Sequence, residues 1–196
     1  MSYSNKDEYK PVKDVKALES LISKSSANKE TIISDFIQEK HLEYLDAIIE
    51  SSGKFWFKKD NQLRWEYTQP FEYIIVINDG KFIISDEGDV SEYDTKSNKV
   101  FKKINDLIIN SVNGGLLAGD EFDITAFENS TTYLIKLIPK NSEMKNVLSN
   151  IEMTFNKSNL SVIQVVMIES EQDFTIMKFT NNRFNEKISD DIFTIK

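Results

Sequence analysis

Cysteine is absent from this chain of 196 residues. That excludes disulfides and thiolate metal sites, though it leaves the compartment open, because a chain of this size folds without bridges. Histidine occurs once, at His41. Zinc sites need several His or Cys ligands, and any Ser-His-Asp or Cys-His triad would have to recruit His41, whose surroundings hold no nucleophile elbow. His41 reads as a surface residue between Lys40 and Glu43. Glycine-rich phosphate loops are missing in both the G-x-x-x-x-G-K-[ST] and G-x-G-x-x-G forms. Gly114-Gly115 follows a predicted helix, which is the wrong end for binding an anion. No run reaches the ~18 apolar residues of a membrane-spanning helix. The N-terminus is polar and lacks the apolar stretch of a secretory signal.

Acids outnumber bases, 32 to 24, for a net charge of −8. Binding to a phosphate backbone depends on clustered Lys and Arg, and here Lys96, Lys99, Lys102 and Lys103 lie beside Glu92 and Asp94. Nucleic acid is therefore excluded as a partner, and permanent residence on an anionic membrane is disfavoured. Carboxylates cluster at Asp86, Glu87 and Asp89, at Asp120, Glu121 and Asp123, and at Asp190 and Asp191. Such groups can serve glycoside hydrolysis or calcium, but each cluster falls in a predicted turn and none has EF-hand spacing. The pattern supports neither an enzyme nor a metal or cofactor.

Hydrophobic periodicity carries the positive signal. Residues 1–13 read as a flexible leader, followed by one domain over 14–196. Val15, Leu18, Leu21 and Ile22 recur at helical spacing behind Asp14, a capping residue. Residues 31–39 alternate as a strand. Leu42, Leu45, Ile48 and Ile49 have helical spacing. Phe55 and Phe57 share a strand face, as do Leu63, Trp65 and Tyr67, with a turn at Asp60-Asn61. The strand over 71–77 is apolar on both faces, with Phe71, Tyr73, Ile75 and Ile77 on one and Ile74 and Val76 on the other. Asn78-Asp79-Gly80 is a hairpin turn. Residues 85–98 read as a loop. Val100, Ile104, Leu107 and Ile108 mark a second helix, and the Leu116-Leu117 pair sits between glycines. Further strands are expected at 121–127, 132–138, 147–156, 161–169, 173–180 and 192–195. Met144, Met153, Met167 and Met177 fall in this region, soft side chains suited to an adaptable surface. About ten antiparallel strands and two helices give a mainly β (α+β) fold: a large curved sheet or half-open barrel partly covered by helices.

One segment carries a resemblance. Residues 53–81 place Lys59, Leu63, Trp65, Gln69-Pro70 and Asp79-Gly80-Lys81 in the order of the LolA family of periplasmic lipoprotein carriers. That family pattern is a strand ending in a basic residue, a short turn, an apolar residue two before a Trp, then Thr/Ser-x-Pro, an apolar strand and Asp-Gly-Lys. The order of elements from about residue 14 onward is similar too, and it assigns 42–52 to a long strand, against the periodicity. Two features depart from the pattern: Lys59-Asp60 stands where the family has Arg-Pro, and the aromatic run after Asp-Gly-Lys is reduced to Phe82-Ile-Ile-Ser.

The resemblance implies a half-open β-barrel under a helical lid, with an apolar cavity that takes the acyl chains of lipoproteins. On it, Phe55, Phe57, Leu63, Trp65, Tyr67, Ile75 and Ile77 would line the cavity. Leu18, Leu21, Ile104, Leu107, Ile108, Leu116 and Leu117 would form the lid, and Lys59 would replace the arginine that latches the lid to the sheet. A lysine is a point charge where arginine is a five-donor fork, so such a latch is differently made. The implied partners are acylated lipoproteins, an inner-membrane lipoprotein-releasing ABC transporter and an outer-membrane acceptor, with the carrier a monomer in the periplasm after signal removal. Each buried CH₂ contributes roughly 0.8 kcal/mol, so leaving a membrane requires a large apolar surface. The alternatives are a LolB-like acceptor, which would be lipidated on a cysteine, a sensor module of the same fold, and an enzyme with a carboxylate pair.

Overall fold

The computed structural model describes residues 8–45, 48–59, 61–94, 117 and 120–195. Twelve strands form a single antiparallel sheet in the order β1-β8-β9-β10-β11-β12-β2-β3-β4-β5-β6-β7. Its edges, β1 and β7, are not paired with each other, so the sheet is an open one. Two meanders make it up. The first runs through β2 (Thr31–His41), β3 (Ile49–Lys58), β4 (Gln62–Gln69), β5 (Tyr73–Asn78), β6 (Lys81–Asp86) and β7 (Asp89–Asp94). The second comprises β8 (Phe122–Glu128), β9 (Thr132–Pro139), β10 (Asn150–Asn156), β11 (Val162–Ile168) and β12 (Phe174–Phe184). The pairing of β2 with β12, from Phe174↔His41 to Phe184↔Ile32, joins them.

Helix α1 (Val15–Ala27) starts where Asp14 Oδ1 accepts from the Ala17 amide at 2.9 Å. Leu18, Ile22 and Ser26 recur every four residues and are the buried stripe. Leu18 and Ile22 pack onto Phe122, Ile135, Leu137, Met153 and Phe155 of β8–β10. The sheet face that α1 covers is here called the inner face.

Several elements differ from the sequence expectation. Within residues 8–13, β1 (Lys10–Pro11) pairs with Glu128 and Phe127, and Tyr9 Oη meets Thr132 Oγ1 at 2.7 Å. Residues 42–45 turn instead of forming a helix, with the Leu45 amide on the Leu42 carbonyl at 2.9 Å. Among the described residues no surface receives the helical stripe there: Leu45, Ile48 and Ile49 are exposed. The long-strand alternative holds only from Ile49 onward. Tyr73, not Phe71, opens β5. Where a loop was expected over 85–98, Glu87 (φ 48°) and Gly88 (φ 97°) make a tight turn into β7, a fully exposed edge strand whose residues do not alternate. A Cβ at Gly88 would meet nothing, so glycine serves the backbone angle there. Residues 142–145 form the short helix α2, and β10 begins only at Asn150. Instead of a strand over 192–195, Asp190–Phe193 form a 3₁₀ turn. The second predicted helix, marked by Val100, Ile104, Leu107 and Ile108, lies outside the described residues, as does Leu116 of the glycine-flanked pair after it.

Candidate ligand-binding face

Strand register decides which side chains meet. One row across the inner face runs Phe82, Ile77, Leu63, Phe57, Ile32 and Phe184. The next carries Ile84, Ile75, Trp65, Phe55 and Ser34. A third holds Tyr73, Tyr67, Gly53, Phe36 and Phe179. The side chains predicted to line a cavity, Phe55, Phe57, Leu63, Trp65, Tyr67, Ile75 and Ile77, thus share one face and one cluster. Phe36, Phe82, Ile84 and Phe179 belong to that cluster as well and were not singled out as site residues in the sequence. For Phe36 a signal existed, since the alternation over 31–39 puts it in phase with Ile32 and Gln38.

The cluster is graded. Toward the ends of the strands at Lys58 and Asn78 it is wholly apolar, with Leu63 and Phe57 fully buried. Its middle is aromatic: the Trp65 ring lies 5.3 Å from Phe36, 5.2 Å from Phe55 and 6.2 Å from Phe179, all tilted or edge-on. Toward the opposite end stand polar groups. Tyr67 Oη donates to Gln38 Oε1 at 3.0 Å, and the rings of Tyr67 and Tyr73 are 6.1 Å apart. Burial, and then the neighbouring Tyr73, push the Tyr67 hydroxyl pKa up to about 12. Burial also raises Tyr73, helped by Asp86. Both phenols therefore stay neutral at ordinary pH, and Tyr67 keeps the proton that it donates to Gln38. The inner face continues into the second meander through Met177, Val165, Met153 and Ile135. Met153, Met167 and Met177 are all in phase with it.

Of the residues expected in a lid, Leu18 and Leu117 are buried in the cluster under α1, and Leu21 is exposed on the helix's outer side. Lys59 makes an ion pair with Glu30, and its amide donates to the Glu30 carbonyl at 2.9 Å. Its described partner thus lies at the entry to β2, close to the end of α1.

The opposite face of β3–β6 is also apolar, which explains why the 71–77 strand reads as hydrophobic on both sides. Val76, Trp56, Ile74 and Ile83 are covered by Ile188, Phe193, Ile192 and Ile195 of the C-terminal segment. Arg64 Nη1 donates to the carbonyls of Ile192 (3.3 Å) and Thr194 (3.2 Å), and its Nε to Glu66 (2.6 Å). A cleft of ≈ 380 Å³ beside this strap is lined by Trp56, Arg64, Glu66, Ile74 and Ser85 together with the strap. The carboxylate clusters sit at turns: Asp86 and Asp89 flank Glu87-Gly88, Asp120 pairs with Lys140 at 2.6 Å, and Asp190 with Lys58.

A family model described as "Outer membrane lipoprotein carrier protein LolA" matches residues 27–196. The chain belongs to the LolA family. The match includes every strand of the two meanders and the whole aromatic cluster. An outer-membrane lipoprotein carrier protein of Nitrosomonas europaea is 27% identical over 185 residues, covering 91% of this chain and 82% of its own. Among solved structures, an uncharacterized conserved protein from Thermus thermophilus superposes with a TM-score of 0.57 at 9% identity, over 92% of this chain and 94% of that one. LprF from Mycobacterium bovis gives 0.51 at 9% identity, over 91% and 96%. The Pseudomonas aeruginosa MucA/MucB complex gives 0.54 at 10% identity, over 93% of this chain and 61% of that one. At such identities these structures show the fold shared by this LolA-family chain. The sheet, open at β1 and β7 with α1 on its inner face, is the open barrel expected from the resemblance.

Proposed function

We propose that this LolA-family chain is a periplasmic, non-enzymatic carrier that holds the acyl chains of lipoproteins against the inner face of its sheet. It would receive them from a lipoprotein-releasing ABC transporter of the inner membrane and pass them to an acceptor at the outer membrane. The observation that carries this reading is the cluster of Phe36, Phe55, Phe57, Leu63, Trp65, Ile75, Ile77 and Phe179 on one face. Membership in a carrier family supports it. Hydrocarbon transfer from water is favourable in proportion to the apolar area covered, and a face built almost wholly of aromatic and aliphatic side chains supplies that area. In this reading α1, which packs on the inner face, belongs to the cover of that face when it is empty.

Titration with a fluorescent triacylated lipopeptide, and with the same peptide lacking its chains, tests the reading. Saturable binding of the acylated form alone is expected. Trp65→Glu should weaken it at least tenfold, because a carboxylate on this face must be desolvated or neutralised. Ile37→Glu, on the opposite face of β2, should leave it unchanged. Equal binding of both peptides, or of neither, would sink the acyl-chain reading and favour recognition of a protein partner.

A further inference from the structure

Trp65 carries a buried donor that makes no well-formed hydrogen bond among the described residues. Its indole Nε1 is shielded from solvent and meets no acceptor at hydrogen-bonding geometry among the described residues. A buried unpaired N–H costs the free energy of the hydrogen bond it gave up in water, so native folds rarely leave one. This one stands inside the aromatic cluster, where the flanking Phe36, Phe55 and Phe179 rings offer no oxygen. The Tyr67 hydroxyl is near enough for the indole N–H to favour its ionised form as a weak hydrogen bond does, but the two are not at the geometry of a full hydrogen bond. That hydroxyl's own proton is committed to Gln38 Oε1 at 3.0 Å. Gln38 is half-buried on the same face, and its amide nitrogen makes none of the hydrogen bonds found among the described residues.

These donors sit at a boundary. On one side lie Leu63, Phe57 and Ile77, with no polar atom in their side chains; on the other stand Tyr67, Tyr73 and Gln38. A pure hydrocarbon would satisfy the apolar side and leave the buried indole N–H without an acceptor. An acyl chain ends in a carbonyl, an acceptor with two lone pairs directly attached to the hydrocarbon.

We propose that Trp65 Nε1–H, assisted by the Gln38 amide, is the site that holds the carbonyl oxygen at the head of an acyl chain. The inner face therefore selects acyl over alkyl ligands. This rests on the proposed acyl-chain reading of the face and names the group that face recognises. Tyr67 acts as a positioning residue, fixing Gln38 through its hydroxyl.

The experiment compares three ligands of equal chain length: a lipopeptide with ester-linked chains, its dialkyl ether analogue, and a peptide acylated only through an amide. One net hydrogen bond corresponds to about a two- to tenfold affinity difference. The parent protein should bind the ester lipopeptide more tightly than the ether by that factor. Trp65→Phe, which keeps an aromatic ring and removes the N–H, should abolish the preference, so that ester and ether bind the variant equally. The chain has two tryptophans, so a ¹⁵N-labelled sample gives two indole N–H resonances, and Trp65→Phe assigns them. The Trp65 proton should move downfield with the ester and not with the ether, and Trp56, on the opposite face, should stay put. Movement with the amide-linked ligand would extend the site to amide carbonyls, and its absence would restrict it to esters. Equal ester and ether affinity with an unmoved Trp65 resonance overturns the inference while leaving the apolar face intact. Binding of neither lipid removes both.

Discussion

Gly53 shows how a single residue sets the shape of the candidate site. It lies between Phe36 and Tyr67 in the ladder, and a Cβ added to it would stand 1.8 Å from the Glu66 carbonyl oxygen. The strands approach so closely that only hydrogen fits, and the space above is filled by the Phe36 and Tyr67 rings, 5.0 Å apart and edge-on. Gly53→Ala should therefore part β3 from β4 and destabilise the fold by about 1–3 kcal/mol, read as a lower denaturation midpoint. An unchanged midpoint would mean the ladder yields there freely. Tyr67 makes a second statement. Its folded pKa, about 12, lies above the ordinary 10.0, so the unfolded chain releases this proton first as pH rises. Its contribution to stability is complete below the ordinary pKa and is lost as pH climbs through the folded one. Thermal melts across that alkaline window should fall less steeply for Tyr67→Phe than for the parent, and identical slopes would show that Tyr67 titrates as in a free peptide. Neither residue's role was legible in advance. Glycine in a strand signals close approach only once the partner is known, and burial of a phenol depends on neighbours distant in sequence.

Elements divide by whether their signal is local. The Asp79-Gly80 hairpin was readable because positive φ at both positions, 49° and 74°, suits those two residues. Helix α1 was readable from its cap and its four-residue stripe. Leu42, Leu45, Ile48 and Ile49 carry an equally good stripe, but residues 42–45 turn and Ile49 opens β3, since periodicity becomes a helix only where a surface receives it. The C-terminal segment fails in the opposite sense. Phe193 and its apolar neighbours suggested another strand, yet they serve as a strap whose burial replaces sheet pairing. Phe193 is fully buried against the outer face. Phe193→Ala should cost about 3–5 kcal/mol and expose Val76 and Trp56. Calorimetry would register the loss, with blue-shifted dye binding marking the uncovered face; a melt like the parent's would show the strap to be dispensable.

At the scale of the molecule, the sequence by itself determined the mainly β character, the run of hairpins and the identity of the aromatic side chains in phase along each strand. These follow from local rules: alternation with a period of two, turn residues with positive φ, and a capping aspartate ahead of a helical stripe. Residues 53–81 also carried enough of a family pattern to point to the LolA family, which the match over 27–196 shows. Only the tertiary structure decided which faces meet. Pairing of β2 with β12 joins strands far apart in sequence, and that one ladder brings Phe179 beside Phe36 and merges two meanders into one inner face. It also decided that Ile75 and Ile77 look inward while Ile74 and Val76 look toward the strap. A strand apolar on both sides has no local preference between them. The choice is made by which covering element arrives at which face, and no window of sequence contains both.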